Sequence, residues 1–416
     1  MKYWKKLSHD EQDIIITKAL NENIDYKQNI SLGIPASLLD PFVFYDQATF
    51  LKDAPLLRTY IQNPNHIGCH TLGDSEVFFK GTQKLEQETI ELICVDIFKA
   101  APDTCDGYIA SGGTEANIQA IWMYRNFFMQ EYLAQPSEIA ILSSQHTHYS
   151  ITKAANLLNL KSYSITVDSE IMQIIASKLY EAINTAKSNG IKYFIAISNM
   201  GTTMFGSIDD PAVYISALKK HNVQFKLHID GAFGGFIYPI SDAENRINFS
   251  NPYISSITLD AHKMLQAPYG TGIFLARKNQ IEYVYTKEAS YVNGMDLTLC
   301  GSRSGANAIA VWMILHTYGP YGWLEKINKL IYRTDWCCSE LDKLQVTYYR
   351  HPKMNIITIP ASHISSSLAH KYGLVPDTHN TEPSWYKIVI MDHVELQHLN
   401  SFINELTKEI HATTLQ

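Results

Sequence analysis

A lysine beside a histidine stands at the end of a β-branched run, Ser256-Ile257-Thr258-Leu259-Asp260-Ala261-His262-Lys263-Met264, and glycines follow at Gly270 and Gly272. A lysine set among apolar neighbours just past a strand is placed to lose solvent. Desolvation disfavours its ammonium form, and the neutral amine attacks a carbonyl to make a Schiff base. Far upstream, Ser111-Gly112-Gly113-Thr114-Glu115-Ala116-Asn117 puts two glycines and a hydroxyl ahead of a helical pattern. Backbone N–H groups in such a turn, backed by a helix N-terminus, cradle a phosphate. In Leu227-His228-Ile229-Asp230-Gly231-Ala232-Phe233-Gly234-Gly235 a carboxylate ends another apolar run. Buried there it needs a partner, and a protonated pyridine nitrogen is one. Gln145-His146-Thr147-His148-Tyr149-Ser150 offers an imidazole to stack on a flat ring, or two metal ligands, and Asn199-Met200-Gly201-Thr202-Thr203 is a turn of small polar side chains. Each string taken singly also fits an ordinary loop: a solvated lysine, a capped turn, an Asp closing its own turn.

An alternation of strands and helices must position these residues. The pattern predicts strands over 107–110, 138–142, 162–167, 193–197, 224–229, 254–259 and 272–276, with helices over 114–130, 149–158, 171–189 and 211–221. Strands apolar on both faces, alternating with helices, argue a largely parallel sheet covered on both sides. In such sheets ligands bind at the carboxyl ends of the strands, where the residues above recur. Ahead of the sheet, Ser8 and Glu11 have capping-box spacing, a turn-rich polar stretch occupies 61–80, and a helix spans 82–98. After it comes a helical region over 304–344, broken at Gly319-Pro320-Tyr321-Gly322, then strands over 355–359 and 385–390 and a closing helix over 393–410. The expected division is a helical arm (1–60), a large ligand-binding domain (61–303), and a connecting helix with a small C-terminal α+β domain (304–416).

With 46% apolar and 18% charged residues in 416, the chain is of globular type and long enough for a large domain plus a smaller one. A formal net charge of -7 argues against broad electrostatic binding to nucleic acid or anionic lipid. No run approaches the roughly 20 apolar residues that span a bilayer. The basic start Met1-Lys2-Tyr3-Trp4-Lys5-Lys6 is followed by polar residues instead of an apolar signal core, so the expected location is the cytoplasm. Six cysteines without a C-x-x-C spacing read as reduced core thiols.

Phosphate turn, histidine, small polar turn, strand-end aspartate and strand-end lysine follow one another in a telling order. In this the chain resembles the pyridoxal-phosphate-dependent group II amino-acid decarboxylases over about residues 60 to 410, and in particular their shorter, histidine- and serine-decarboxylase-like branch. The resemblance implies a PLP-dependent transferase-like α/β fold (aspartate aminotransferase fold type I), with a mostly parallel seven-stranded sheet and a small C-terminal domain. It implies pyridoxal 5'-phosphate as cofactor, no metal, and decarboxylation of an L-amino acid to its amine and carbon dioxide. By the same resemblance Gly113 and Thr114 hold the phosphate, helped by His262, Ser111 and Gly112. His148 stacks on the ring with Ser150 nearby, Ala232 packs on the other face, Asp230 pairs with the pyridine nitrogen and Thr203 sits near the phenolic oxygen. Lys263 is the Schiff-base lysine. Tyr291 is the candidate for returning a proton to the carbanion, and Arg303 is structural or carboxylate-facing. Gly270-Thr271 resembles a segment reaching a neighbouring subunit's phosphate, which implies a homodimer with shared active sites. Asn63, Asn65, His66 and His70 form a polar stretch suited to lining the substrate pocket. The short N-terminal arm and Asp260-Ala261 ahead of His262 depart from the larger aromatic amino-acid decarboxylases and weigh against an aromatic substrate. An aminotransferase or carbon–carbon lyase would use the same cofactor motifs. A metal-dependent hydrolase using His146 and His148 is the alternative from another class, and leaves Lys263 and the glycine turn unexplained.

Overall fold

A computed structural model describes residues 1–22, 66–67, 77–289 and 293–414. Tyr291, Asn63, Asn65, His70 and residues 23–60 of the expected arm lie outside the described residues, and of His66 only the backbone is described.

Seven strands form the central sheet: β1 (Cys105–Ala110), β2 (Ile139–Ser144), β3 (Lys161–Ile165), β4 (Tyr193–Asn199), β5 (Gln224–Asp230), β6 (Ile254–Asp260) and β7 (Gly272–Arg277). Their order across the sheet is β1-β7-β6-β5-β4-β2-β3. β7 runs antiparallel to both neighbours and every other pairing is parallel. The continuous apolar runs are explained by burial on both faces. Along β2, Ala140 and Leu142 enter one core cluster while Ile139 and Ile141 enter the other, as the two-residue period of a strand requires.

Helices α1 (His9–Asn21), α2 (Lys80–Leu92), α3 (Gly113–Glu131), α4 (Tyr149–Leu157), α5 (Ala176–Ser188) and α6 (Pro211–Lys220) accompany the sheet. The capping box at Ser8 and Glu11 is formed. Helix α5 starts five residues later than its apolar pattern suggests. The Asp168 carboxylate accepts the Glu170 and Ile171 amides at 2.9 and 3.0 Å, and Val167 bridges to Ile174. That local turn outcompetes the first helical turn.

The helical region after the sheet is α7 (Gly305–Lys343), interrupted where Gly319 takes φ 58° ahead of Pro320. The amino-terminal segment lies against this break. A side chain at Gly319 would meet the Lys6 backbone, and the Leu7 amide bonds to the His316 carbonyl at 2.9 Å. Beyond α7, strands β8 (Ile356–Pro360), β9 (Val375–Pro376) and β10 (Trp385–Val389) form an antiparallel sheet in the order β8-β10-β9. Helices α8 (Ser366–Lys371) and α9 (Leu396–Thr414) accompany it, with a core cluster of their own that includes Ile357, Tyr386, Phe402 and Leu406. Cys94, Cys105, Cys337 and Cys338 are buried free thiols, whereas Cys300 is exposed and so is no core residue. Among the described residues no helix is long and apolar enough to cross a membrane.

Candidate active site

The sheet brings the distant strings together at the carboxyl ends of its parallel strands. A cleft of about 320 Å³ is lined by Ser111, Gly112, Gly113, Thr114, His148, Ala232, Asp260, His262 and Lys263, with Glu115, Asn117 and Tyr149 completing the wall. Lys263 leaves the end of β6 in a turn, and its Nζ lies 2.9 Å from Asp260 Oδ2. The other oxygen of Asp260 accepts the Gly113 amide at 2.5 Å. One carboxylate thus ties the lysine to the glycine turn, a role the sequence string did not reveal. His262 stacks on Tyr269 at 5.3 Å between ring centres, and its buried Nδ1 has no hydrogen-bond partner among the described residues.

The glycine turn is braced from below. Glu115 accepts the Ser111 amide at 2.7 Å and the Tyr108 hydroxyl at 3.0 Å. This leaves Gly113 at the first position of α3, its amide directed into the cleft wall. Asp230 ends β5, almost fully buried; its Oδ1 accepts the Ala232 backbone amide at 3.2 Å and its Oδ2 the side-chain Nδ2 of Asn117 at 3.0 Å. His148 caps α4, with Nδ1 at 2.9 Å from the Ser150 hydroxyl. Burial holds the His148 imidazole below its ordinary range, with Asp230 pulling the other way.

Several expected residues fall elsewhere. Thr203 is exposed and outside the group lining the cleft; its carbonyl accepts the Lys387 ammonium at 2.8 Å. Lys387 itself lies on β10. Burial, with repulsion from Lys263, holds its ammonium below the usual lysine range. Thr271 is fully buried in its own chain, its hydroxyl bonded to the Pro268 carbonyl at 2.6 Å. Its side chain is therefore not what reaches a neighbouring subunit. Arg303 resolves to the structural role: it forms a buried ion pair with Glu86 and lies over the Tyr108 ring. His146 stacks on Phe205 at 4.6 Å, and among the described residues no three acidic, histidine or cysteine side chains gather as metal ligands.

The residues that do converge fit a phosphorylated pyridine aldehyde. Gly113 leaves room that a side chain would fill, since a Cβ there would come within 2.9 Å of Asp260 Oδ2 and 3.2 Å of the Ala232 methyl. The unpartnered His262 nitrogen, the Thr114 hydroxyl and the start of α3 supply donors for a phosphate. Lys263 suits the aldehyde and Asp230 a protonated ring nitrogen. Gly113→Ala is expected to weaken cofactor binding about tenfold, the equivalent of roughly 1.4 kcal/mol and within the range of about 1–3 kcal/mol that overpacking costs. Titration of the apoprotein with cofactor, read by absorbance, checks this.

Residues 82–347 match the model of the pyridoxal-dependent decarboxylase conserved domain. The chain belongs to that family. A tryptophan decarboxylase of Clostridium sporogenes is 52% identical to this decarboxylase over 408 residues, covering 98% of each chain. Among solved structures, the glutamate decarboxylase of Lactobacillus brevis superposes with a TM-score of 0.70 at 17% identity, over 97% of this chain and 92% of that one. The L-methionine decarboxylase of Streptomyces sp. 590, as its external aldimine form, gives 0.68 at 18% identity, over 96% and 93%. These two carry the fold, and the family carries the chemistry. The cofactor is pyridoxal 5'-phosphate, and the enzyme is a carboxy-lyase that converts an L-amino acid to its amine and carbon dioxide. The metal-hydrolase, aminotransferase and carbon–carbon lyase alternatives give way to that membership.

Proposed function

We propose that the substrate is L-tryptophan or an aromatic L-amino acid of its kind. The observation that carries this is the 52% identity with a tryptophan decarboxylase over 98% of both chains. The short N-terminal arm is no obstacle, because that relative matches this chain almost end to end.

When bound, pyridoxal phosphate supplies an electron-poor ring that takes up the electron pair of the broken Cα–carboxylate bond. In our reading the chain's own residues then divide the work. The glycine turn with Thr114 and His262 binds the phosphate, and His148 and Ala232 confine the ring from its two faces. Thr203 is too exposed to be assigned to the ring's phenolic oxygen. Lys263 would hold the cofactor's aldehyde group, and Asp230 would keep a proton on the ring nitrogen. Tyr291 remains our choice for returning a proton to Cα. We take the enzyme to be a cytoplasmic homodimer; Tyr269, 88% exposed beside His262, leaves an aromatic ring uncovered at the edge of the site for a second subunit to meet.

A screen of amine release over the twenty L-amino acids, with cofactor present, tests the substrate. L-Tryptophan is expected to give the highest kcat/KM, with phenylalanine and tyrosine behind it. A preference for L-aspartate or another polar amino acid would overturn the aromatic assignment and leave the decarboxylase chemistry untouched.

A further inference from the structure

A run of buried polar side chains leads from Asp230 into the interior between α3, β5 and β6. Asn117 of α3 donates from Nδ2 to Asp230 Oδ2 at 3.0 Å and to Ser150 Oγ at 2.9 Å. Its Oδ1 lies 2.9 Å from Nε2 of His228, which precedes Asp230 by two residues on β5 and so shares its face. His228 Nδ1 lies 2.6 Å from the Ser256 hydroxyl, directly across on β6, and the Tyr124 hydroxyl of α3 donates to Ser256. Asn117, His228, Ser256 and Tyr124 are each at most 1% exposed. Burying four polar groups is costly unless every one is satisfied.

Donor counting fixes the direction of each bond. An ionised Asp230 only accepts, so Asn117 turns its NH2 toward it and leaves its oxygen for His228. That oxygen requires a donor. Burial pushes the His228 imidazole down to about 3, with a hydrogen bond to the Ser256 backbone pulling the other way, so it carries a single proton; the Asn117 oxygen, which can only accept, draws that proton to Nε2. The Thr258 hydroxyl, 3.2 Å from the same nitrogen, shares that N–H. Nδ1 is then an acceptor, filled by the Ser256 hydroxyl, whose oxygen in turn takes the Tyr124 proton. Along the line Tyr124, Ser256, His228, Asn117 each bond points toward Asp230, and the second N–H of Asn117 goes to Ser150. If Asn117 flipped, its oxygen would face the carboxylate, and the N–H of His228 is what forbids the flip.

We propose that Tyr124, Ser256, His228 and Asn117 form a one-way hydrogen-bond chain that positions Asp230 against the ring nitrogen of the bound cofactor, with Asn117 and His228 as its positioning residues. This rests on reading Asp230 as the partner of that nitrogen.

The test uses holoenzyme of Asn117→Leu and His228→Phe, measuring kcat, KM, melting temperature and the pH dependence of the cofactor's visible absorption band. In both, kcat is expected to fall about ten- to a hundredfold, the range that supporting hydrogen bonds are worth at other sites. KM should stay within about threefold, because binding of the ground state is not what is lost. The pH midpoint of the visible band should move by about a unit, as the ring nitrogen's environment changes. His228→Gln, which can still offer an N–H near the Nε2 position, should recover part of both effects. If Asn117→Leu does not fold, Asn117→Asp keeps the volume, replaces the donor by an acceptor, and is judged on the same readouts. A wild-type band midpoint and wild-type kcat in these variants would overturn the proposal. So would a drop in melting temperature with the midpoint unmoved, which marks a merely structural role. Asp230→Ala separates the two levels. Should it keep wild-type turnover and spectrum, the Asp230 reading fails. Should it be inactive while the Asn117 and His228 variants match wild type, only the positioning chain fails.

Discussion

Lys263→Ala is expected to leave a folded protein that decarboxylates nothing measurable. The Lys263 side chain is about a third exposed and, among the described residues, its ion pair is to Asp260 alone, so its removal opens no cavity in the core. Asp260 keeps the Gly113 amide as a donor, and the cleft wall survives. What is lost is the covalent hold on the aldehyde and the amine that substrate displaces. A fall in kcat of about ten-thousandfold or more, roughly 5 kcal/mol of barrier, is the expected scale for removing such a group. Borohydride reduction of the wild-type holoenzyme should label the peptide containing Lys263, and the same treatment of the variant should label no lysine. Full activity in the variant, or a label on another lysine, would sink the assignment.

How far the site was legible in the sequence follows from what each residue interacts with. The strands were readable because both of their faces are buried, which forces near-continuous apolar runs such as Ile139-Ala140-Ile141-Leu142. The glycine turn and the strand-end Asp230 and Lys263 were readable because their chemistry is local: two glycines before a helix, an acid or an amine after an apolar run. Partner choice was not. Arg303 pairs with Glu86 across 217 residues, and nothing adjacent to either announces the other. The antiparallel direction of β7 is set by pairing with β1 and β6, and leaves no mark on its own residues. Thr271 looked available because a Gly-Thr turn usually is; its burial is a property of the packed chain. Asn117 and His228 lay in strings already singled out. Their spacing was the available signal, four residues past Gly113 along a helix and two before Asp230 along a strand.

Asp230→Ala tests the other pole of the site, and its expected signature is the reverse of the lysine variant's. Among the described residues the carboxylate accepts two hydrogen bonds, from the Ala232 amide and from the Asn117 side chain. Its loss leaves both donors short of an acceptor in a nearly closed environment, at a cost of about 1–3 kcal/mol of stability. Asn117 keeps Ser150 and His228 as partners, so the damage is local and the protein should still fold, with a lowered melting temperature. Lys263 is unaffected, and borohydride should still label its peptide. Turnover should nevertheless collapse by about a thousandfold or more. Without an anion to keep the ring nitrogen protonated, the ring is a poorer acceptor for the electron pair of the Cα–carboxylate bond. Asp230→Asn, equal in volume and without the charge, should be nearly as slow while melting closer to wild type, because it restores an acceptor for one of the two donors. Trapping at Lys263 with wild-type decarboxylation in both variants would show that charge at position 230 is not what the reaction requires.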